Sequence, residues 1–555
     1  FHKMKKFFLF IFFTVSFYNH SYTQNVEINN NVYNFLNRLY VKGVIQNYSN
    51  AILPISRDKV AEYLSYLDNN SFKLNKVEKK MLDDFKREFE FDLKSKTDNK
   101  KELFEKGDFL ENLVDLFSDK ERYLYTYIDT NFNFFSNALF ESKTLMSYGD
   151  LYDKKNSSLL RWGAKMRGTI NDNVGFYFFV TNGQYLGDKN LALTDITLKN
   201  NYKIHEQKSK NFDFTEGYLS YYSKPFMIQL GREKISFGQG YNEKMIISPV
   251  NALDFLKLDF SYGIINYSFI HSWLIPKIND NVIIQDDNER TFSSKYLTSH
   301  RLGISLLNNL ELGFSEMVIY SNRPPEIAYL TPLIFFKSVE HSLQDRDNSL
   351  ISFDAAARVI PKIKLYGTFI IDDIDFSKIG TKWWGNLFSY QVGSFISEPL
   401  NFENFDFNIE YLKILPYTFS HRFIENNYTN YNSYIGSNIE PNSDKLSLLI
   451  KYYLTYRANI QLGFNYLRHG RNLYDEKGFL VKNVGGDINC GHRAIDSEES
   501  IFLDGNIEKI FTSSISFYYE PFNDIFIFFE YNYNLKNEDV KIKQNTINLI
   551  FNIKY

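Results

Sequence analysis

From Ile547 to the end of the chain, apolar side chains fall at alternate positions: Ile547, Leu549, Phe551, Ile553 and Tyr555. Asn548, Asn552 and Lys554 lie between them, and Ile550 is the single break. A period of two that ends on an aromatic is the pattern of the closing strand of an outer-membrane β-barrel. One face meets lipid, the other a polar interior, and the terminal ring sits at interface height. The alternation therefore puts Leu549, Phe551 and Ile553 against lipid and Asn548 and Asn552 inside. One alternating strand fits any half-buried sheet, so the rest of the chain must decide.

A chain of 555 residues accommodates several soluble domains or one large barrel with a small accessory domain. Aromatics reach 18%, with 53 Phe and 41 Tyr, yet the mean hydropathy is negative. Alternating strands with aromatic girdles produce that pairing, although a large soluble β protein rich in Phe, Tyr, Asn, Ile and Lys would share it. The formal charge is -3, from 63 basic and 66 acidic residues. No basic run is interleaved with aromatics, so nucleic acid is not an expected partner. Cys490 is the only cysteine, which excludes an intramolecular disulfide or a Cys-Cys zinc site. Cys490 and His492 sit in the Gly-rich run Gly485-Gly486-Asp487-Ile488-Asn489-Cys490-Gly491-His492 and read as loop residues. No metal and no cofactor is expected.

Met4-Lys5-Lys6 followed by the apolar run Phe7 to Phe17 and the polar stretch Tyr18 to Gln24 reads as a signal peptide over 1–24, with Phe1-His2-Lys3 preceding the natural start. No later apolar run reaches the roughly 20 residues of a membrane-spanning helix. Residues 25–120 carry helical spacing. Val32, Phe35, Leu36 and Leu39 mark one helix. Ser56 caps a second through Val60, Leu64 and Leu67. Asn75 caps a third, in which Val77, Met81, Phe85 and Phe89 hold one face while Lys79, Lys80, Asp83 and Asp84 face water. Lys94 to Glu105 is charged and reads as a linker or mobile loop, and helical periodicity returns at Phe109, Leu113 and Phe117.

From about 121, near Tyr123, to 555 the period is two. Ser158 to Ile170 and Val174 to Asn182 flank the turn Asn171-Asp172-Asn173. Leu446 to Tyr456 and Ile460 to Tyr466 flank Arg457-Ala458-Asn459, and Ile515 to Tyr519 and Ile527 to Tyr533 flank Pro521-Phe522-Asn523-Asp524. Longer polar stretches lie between the hairpins: Leu186 to Asp213, Asn279 to Thr291 and Asn426 to Lys445. Short turns alternating with long loops are the two ends of an outer-membrane barrel, and the chain length gives about 18 antiparallel strands. The expected fold is thus an all-β transmembrane barrel behind a small α-helical bundle in the periplasm.

Charges on strands cannot face lipid without cost. Arg161 with Lys165 and Arg167, Arg232 with Glu233, Glu311 with Glu316, and Asp372 with Asp373 and Asp375 should therefore line the lumen or the rims. Comparable numbers of both signs favour cross-barrel ion pairs and a plugged or narrow interior. The run Glu340-His341-Ser342-Leu343-Gln344-Asp345-Arg346-Asp347-Asn348 holds His, Ser and Asp. On a strand, however, His341 and Ser342 would point to opposite sides, and no Gly-x-Ser-x-Gly elbow accompanies them. It reads as inner wall or loop, and no catalytic residue is assigned. Trp162, Trp273, Trp383 and Trp384 suit either interface girdles or sugar stacking; Trp383-Trp384 follows a loop-like stretch and suits a surface site. Candidate ligand contacts in the lumen or at its rim are Arg161, Arg232, Glu233, Glu316, Arg323, Glu340, His341, Asp345, Arg346, Asp347, Trp383 and Trp384.

The runs Leu160 to Gly168, Gly231-Arg232-Glu233 through Phe237-Gly238-Gln239-Gly240, and His300-Arg301-Leu302 resemble the Wzi-type capsule assembly proteins. Leu312 to Tyr320, Arg323 with Glu326, Ala328 to Pro332, Glu340-His341 with Asp345 to Asn348, Asp372-Asp373, Ile439 to Asp444 and Phe502 to Gly505 continue the likeness in order. The resemblance implies an 18-stranded outer-membrane barrel with a periplasmic helical bundle. It also implies a non-enzymatic, lectin-like role in which the outer face binds or anchors capsular or surface polysaccharide. Outer-membrane lipid and the barrel assembly machinery, engaged through the strand ending at Tyr555, are the other expected partners. A small-solute channel is the alternative, and an outer-membrane hydrolase is a third.

Overall fold

The computed structural model describes residues 23–103, 118–205, 209–276, 294–538 and 540–555. The signal peptide expected over 1–24 falls outside them up to residue 22, as does the helix expected around Phe109, Leu113 and Phe117.

The wall is a closed antiparallel barrel of 18 strands. Its first half comprises β1 Phe132–Gly149, β2 Lys155–Ile170, β3 Val174–Gly187, β4 Asn211–Ser223, β5 Phe226–Glu233, β6 Leu253–Tyr262, β7 Ile265–Leu274, β8 Lys295–Leu306 and β9 Leu310–Ser321. The second half comprises β10 Asn348–Ile360, β11 Ile363–Asp373, β12 Leu387–Ser397, β13 Phe405–Ile414, β14 Ser443–Thr455, β15 Ala458–Arg471, β16 Asn506–Phe522, β17 Ile525–Asn537 and β18 Lys541–Lys554. A short strand, Tyr125–Ile128, pairs with the start of β1 below the β18 seam.

The terminal strand behaves as its alternation predicts. β18 closes on β1, with Leu549 opposite Thr144 and Lys554 opposite Leu139. The Tyr555 N–H donates to Ala138 O (2.8 Å), and the Ala138 N–H donates to Tyr555 O (2.6 Å). Inside, the Asn548 amide donates to Glu530 (2.8 Å), Asn552 to Glu141 (3.2 Å), and Lys554 to Asp524 (3.0 Å) and Glu121 (3.1 Å). Outside, Leu549 remains exposed.

The hairpins form where expected, but two turns are tighter than read from sequence. Only Tyr456 and Arg457 separate β14 from β15, and only Asn523 and Asp524 separate β16 from β17. The short Tyr125–Ile128 strand, close to Tyr123, leads into the wall, whose first full strand starts at Phe132. Glu121–Tyr123 pairs in parallel with Lys100–Glu102, so part of the expected linker is structured.

A helical domain covers the short-turn end: α1 Val32–Val41, α2 Arg57–Asn69, α3 Lys76–Glu88 and α4 Glu90–Lys94. Ser56 accepts from the Lys59 N–H (3.3 Å), and Asn75 with Glu78 forms a capping box, so both expected caps exist. The apolar faces of α1, α2 and α3 meet each other and the inner-wall residues Ala356, Tyr366 and Phe395. Arg38, 1% exposed, is paired with Glu78 (3.1 Å), Glu398 (3.0 Å) and Asp406. Arg358 donates to Tyr40 O (2.7 Å) and Ile45 O (2.9 Å). Asp84 does not face water as expected: it pairs with Arg457 of the β14–β15 turn (3.0 Å), because this face of α3 docks on the barrel.

Candidate functional site

The long-loop end is organised by a segment, 234–252, that leaves β5 and enters the lumen. Ile235, Phe237, Met245, Ile246 and Ile247 are each at most 1% exposed, and they pack with inner-wall Leu297, Met317, Ile319, Ile370 and Ile414. Low down, Ser236–Phe237 pairs antiparallel with Ile52–Leu53 of the helical domain. Higher up, the Ser248 N–H donates to Ile435 O (2.7 Å) and the Tyr428 hydroxyl to Ile246 O (2.7 Å), both residues of the β13–β14 loop. One segment thus links the helical domain to the lid over the opposite mouth. Gly240 makes its bend possible: its φ is +143°, and a Cβ would sit 1.9 Å from Glu243 O. The polar groups of the segment find inner-wall partners, Gln239 with Glu311 (3.2 Å), Asn242 with Asn408 (2.9 Å) and Glu243 with Lys445.

Beside this plug lies a cavity of about 1000 Å³, lined by Arg161, Lys165, Glu216 and Glu233 among others. Two of its basic residues form the ion pairs that the mixed signs predict. Arg161 meets Glu141 (2.8 Å) and Lys165 meets Glu27 of the N-terminal segment (2.6 Å). Glu233 accepts from Asn25 and Gln229 (both 2.9 Å). Arg232, also on the cavity's lining, is bound to Asp254 through two nitrogens at 2.6 Å each, near the loop end of β5.

At the long-loop mouth, Trp384 stacks on His492 (centroids 3.7 Å apart, rings 1° from parallel) and meets the Tyr417 ring edge-on (5.8 Å, 72°). Its indole N–H donates to Glu498 (3.1 Å), and the Lys378 ammonium lies 4.0 Å from the centre of the Trp383 ring. These rings come from the 374–386, 415–442 and 472–505 loops. Burial disfavours the Asp496 carboxylate, but hydrogen bonds from the Arg493 side chain and backbone and from Asn483 hold its pKa below the ordinary value. Burial, with Asp487 nearby, pushes the Cys490 thiol up to about 11, so it stays protonated. Sequence reading placed Trp384 on the surface but missed His492 as its partner. The two are joined only through loop packing, for which no local signal exists.

The remaining candidates lie on β9 and the loop 322–347, whose far end reaches the rim: Arg422 and Asn426 of the β13–β14 loop donate to Asp345 O and, at 3.0 Å, to Arg346 O. Along β9, Glu311 points inward but Glu316 points outward, and the loop 322–347 folds over the outer wall to cover it. Glu316 is 1% exposed; it pairs with His300 (3.0 Å) and accepts from the backbone N–H groups of Phe336 (3.1 Å) and Lys337 (3.2 Å), the first turn of helix Phe336–Ser342. A carboxylate facing the positive end of a helix is favourably placed. Arg323 clamps Asp347 with two nitrogens (2.9 and 2.6 Å) over the Tyr320 ring, and the Tyr329 hydroxyl donates to Asp347 (2.8 Å). Glu340 is held by Lys337 (2.9 Å) and Ser349. His341, Asp345 and Arg346 are exposed. His341 and Ser342 lie on a helix rather than a strand, and the Ser342 hydroxyl donates to Ser338 O (3.0 Å). Glu340, His341 and Asp345 bring ligand atoms within 4.8 Å of one another, but Glu340 already has its partners. The tryptophans Trp162 and Trp273 point outward, 51% and 41% exposed, as interface girdle residues do.

A closed 18-strand wall with outward apolar residues, short turns at one end and long loops at the other defines an outer-membrane β-barrel protein. The chain belongs to the Wzi capsule assembly family, whose model, "Capsule assembly protein Wzi", matches residues 140–541. The solved structure of Wzi from Escherichia coli, an outer membrane protein involved in group 1 capsule assembly and described as a carbohydrate-binding β-barrel, is similar in fold. The TM-score is 0.55 at 11% identity, over 95% of this chain and 99% of that one. OprD of Pseudomonas aeruginosa is similar at a TM-score of 0.41 and 11% identity, over 76% of this chain and 95% of that one. No curated protein sequence matches.

Proposed function

We propose that this protein is a non-enzymatic, lectin-like barrel that holds capsular or other surface polysaccharide at its long-loop end. In this reading the short-turn end and the helical domain face the periplasm, and the loops face the cell exterior. The signal peptide exports the chain, and the barrel assembly machinery engages the strand ending at Tyr555. The observation that carries the reading is the filled lumen. The apolar plug from Ile235 to Ile247 joins the helical domain below to the lid above, which disfavours a diffusion channel. A polymer then meets the outer surface, where Trp383 and Trp384 are half-buried in a frame of carboxylates and amides. Aromatic faces stack on the apolar faces of sugar rings while such polar groups bond hydroxyls. The carbohydrate binding described for the Escherichia coli relative supports the same class of ligand.

The test is binding of the purified full chain to arrayed surface polysaccharides, beside Trp383→Ala/Trp384→Ala. Removing an aromatic anchor costs about 2 kcal/mol or more, roughly 30-fold in affinity. Absence of binding by the parent chain, with surface glycan retained after gene deletion, would end the proposal. A large stable conductance in planar bilayers would favour the channel.

A further inference from the structure

The 322–347 loop covers the outside of the wall at a depth where a barrel meets hydrocarbon. A transmembrane strand needs about 9–11 residues, and the strands beneath the loop have little to spare: β7 has 10 residues, and β8 and β9 have 12 each. The loop reaches well down them. The hydroxyl of Tyr267, the third residue of β7 from its short-turn end, donates to Pro332 O, and the Phe336 ring stacks on His300 in the middle of β8 (4.5 Å). Its inner face is a packed core: Tyr329 and Phe336, both fully buried, sit against outward-facing Phe269, Tyr296, Val318 and Tyr320. The same loop supplies the partners that hide Glu316 and His300 from that depth.

Its outward side carries an apolar row between residues 327 and 335, while the exposed polar residues His341, Gln344, Asp345 and Arg346 come at the end of the loop. Ile327 is 78% exposed, Leu333 86% and Phe335 48%. This row continues the exposed apolar surface of the neighbouring wall, where Ile265, Leu312 and Phe353 point outward. We propose that the loop is a membrane-seated flap whose Ile327, Leu333 and Phe335 rest among the acyl chains of the bilayer. It widens the barrel's grip on lipid on the side where the strands are short. The occupant is acyl chain rather than a second protein copy, because the exposed row is continuous with the lipid-facing wall. The contact of Pro332 with Tyr267 sets the flap's tip toward the short-turn half of the bilayer, which is the periplasmic leaflet in the orientation proposed above.

The test uses the full chain with Cys490→Ser, carrying bimane at Leu333→Cys in phosphatidylcholine vesicles whose acyl chains are brominated. Leu312→Cys on the wall and Ile495→Cys on the 472–505 loop are the references, and each variant is first shown to fold by its heat-modifiable mobility. Quenching at position 333 equal to that at 312, with little at 495, is expected. Quenching at 333 as weak as at 495 would overturn the flap. Oxidative cross-linking of two copies through position 333 without quenching would assign the face to a second copy and also overturn it. Thiol labelling of Ile495→Cys on intact cells tests the orientation separately, and loss of polysaccharide binding leaves the quenching result untouched.

Discussion

Two long loops leave the same half of the barrel and take opposite sides of its wall. The 234–252 segment turns inward and buries Ile235, Phe237, Met245, Ile246 and Ile247. The 322–347 flap turns outward, buries Tyr329 and Phe336 against the wall, and leaves Ile327, Leu333 and Phe335 exposed. Apolar content does not separate them. Polar partners do: Gln239, Asn242 and Glu243 of the inner segment find Glu311, Asn408 and Lys445 on the inner wall, whereas the flap's helix start finds Glu316 on the outer wall. Burial of a polar group is tolerated only where it is bonded, so the polar groups each face of the wall offers decide which side each loop can occupy.

The comparison breaks first at the plug. Phe237→Ala removes a fully buried ring from a site walled on all sides and should cost about 3–5 kcal/mol, read as a lower denaturant midpoint in urea with the barrel in lipid. If Phe237→Ala instead costs no more than a surface change, the inner segment is not a packed core. Glu316→Ala, next in size, strands the Phe336 and Lys337 N–H groups and should cost about 1–3 kcal/mol. Because the damage is local to the flap, faster protease cleavage within 322–347 should accompany it while the wall stays folded. A smaller, local effect belongs to a third loop, which holds Asp496 through Arg493 and Asn483. The Asp496 pKa is depressed in the fold, so its contribution is fully present above the unfolded value of about 3.9. It is lost as pH falls below that value through the folded pKa. Trp384 emission, taken as the difference from Trp384→Phe, should change in that acid window before global unfolding. The smallest effect is expected at Leu333→Ala, within about 0.5 kcal/mol in detergent, which sharpens the contrast with Phe237.

Much of the wall was legible in the sequence, since a period of two fixes which residues share a face. Asn548, Asn552 and Lys554 lie inside as read, and Arg161 and Lys165 find the opposite charges that their lumenal face requires. The same rule applied strictly would have separated Glu311 from Glu316, five positions apart and therefore on opposite faces. Grouping them as lumenal charges was an error of reading rather than a lack of signal. Nothing local, by contrast, marks His492 as the partner of Trp384 or Arg457 as the partner of Asp84.

By itself the sequence determined the class of fold, the closing strand, the helix caps at Ser56 and Asn75 and where the short hairpins fall. These follow from short-range periodicity and from backbone groups that must be satisfied locally. Only the tertiary structure decided that the lumen is filled, that one loop enters it while another lies outside, and which side chains gather at the long-loop mouth. Those outcomes depend on contacts between residues tens to hundreds of positions apart, where burial and hydrogen-bond partners are set by the closed wall rather than by neighbours in the chain.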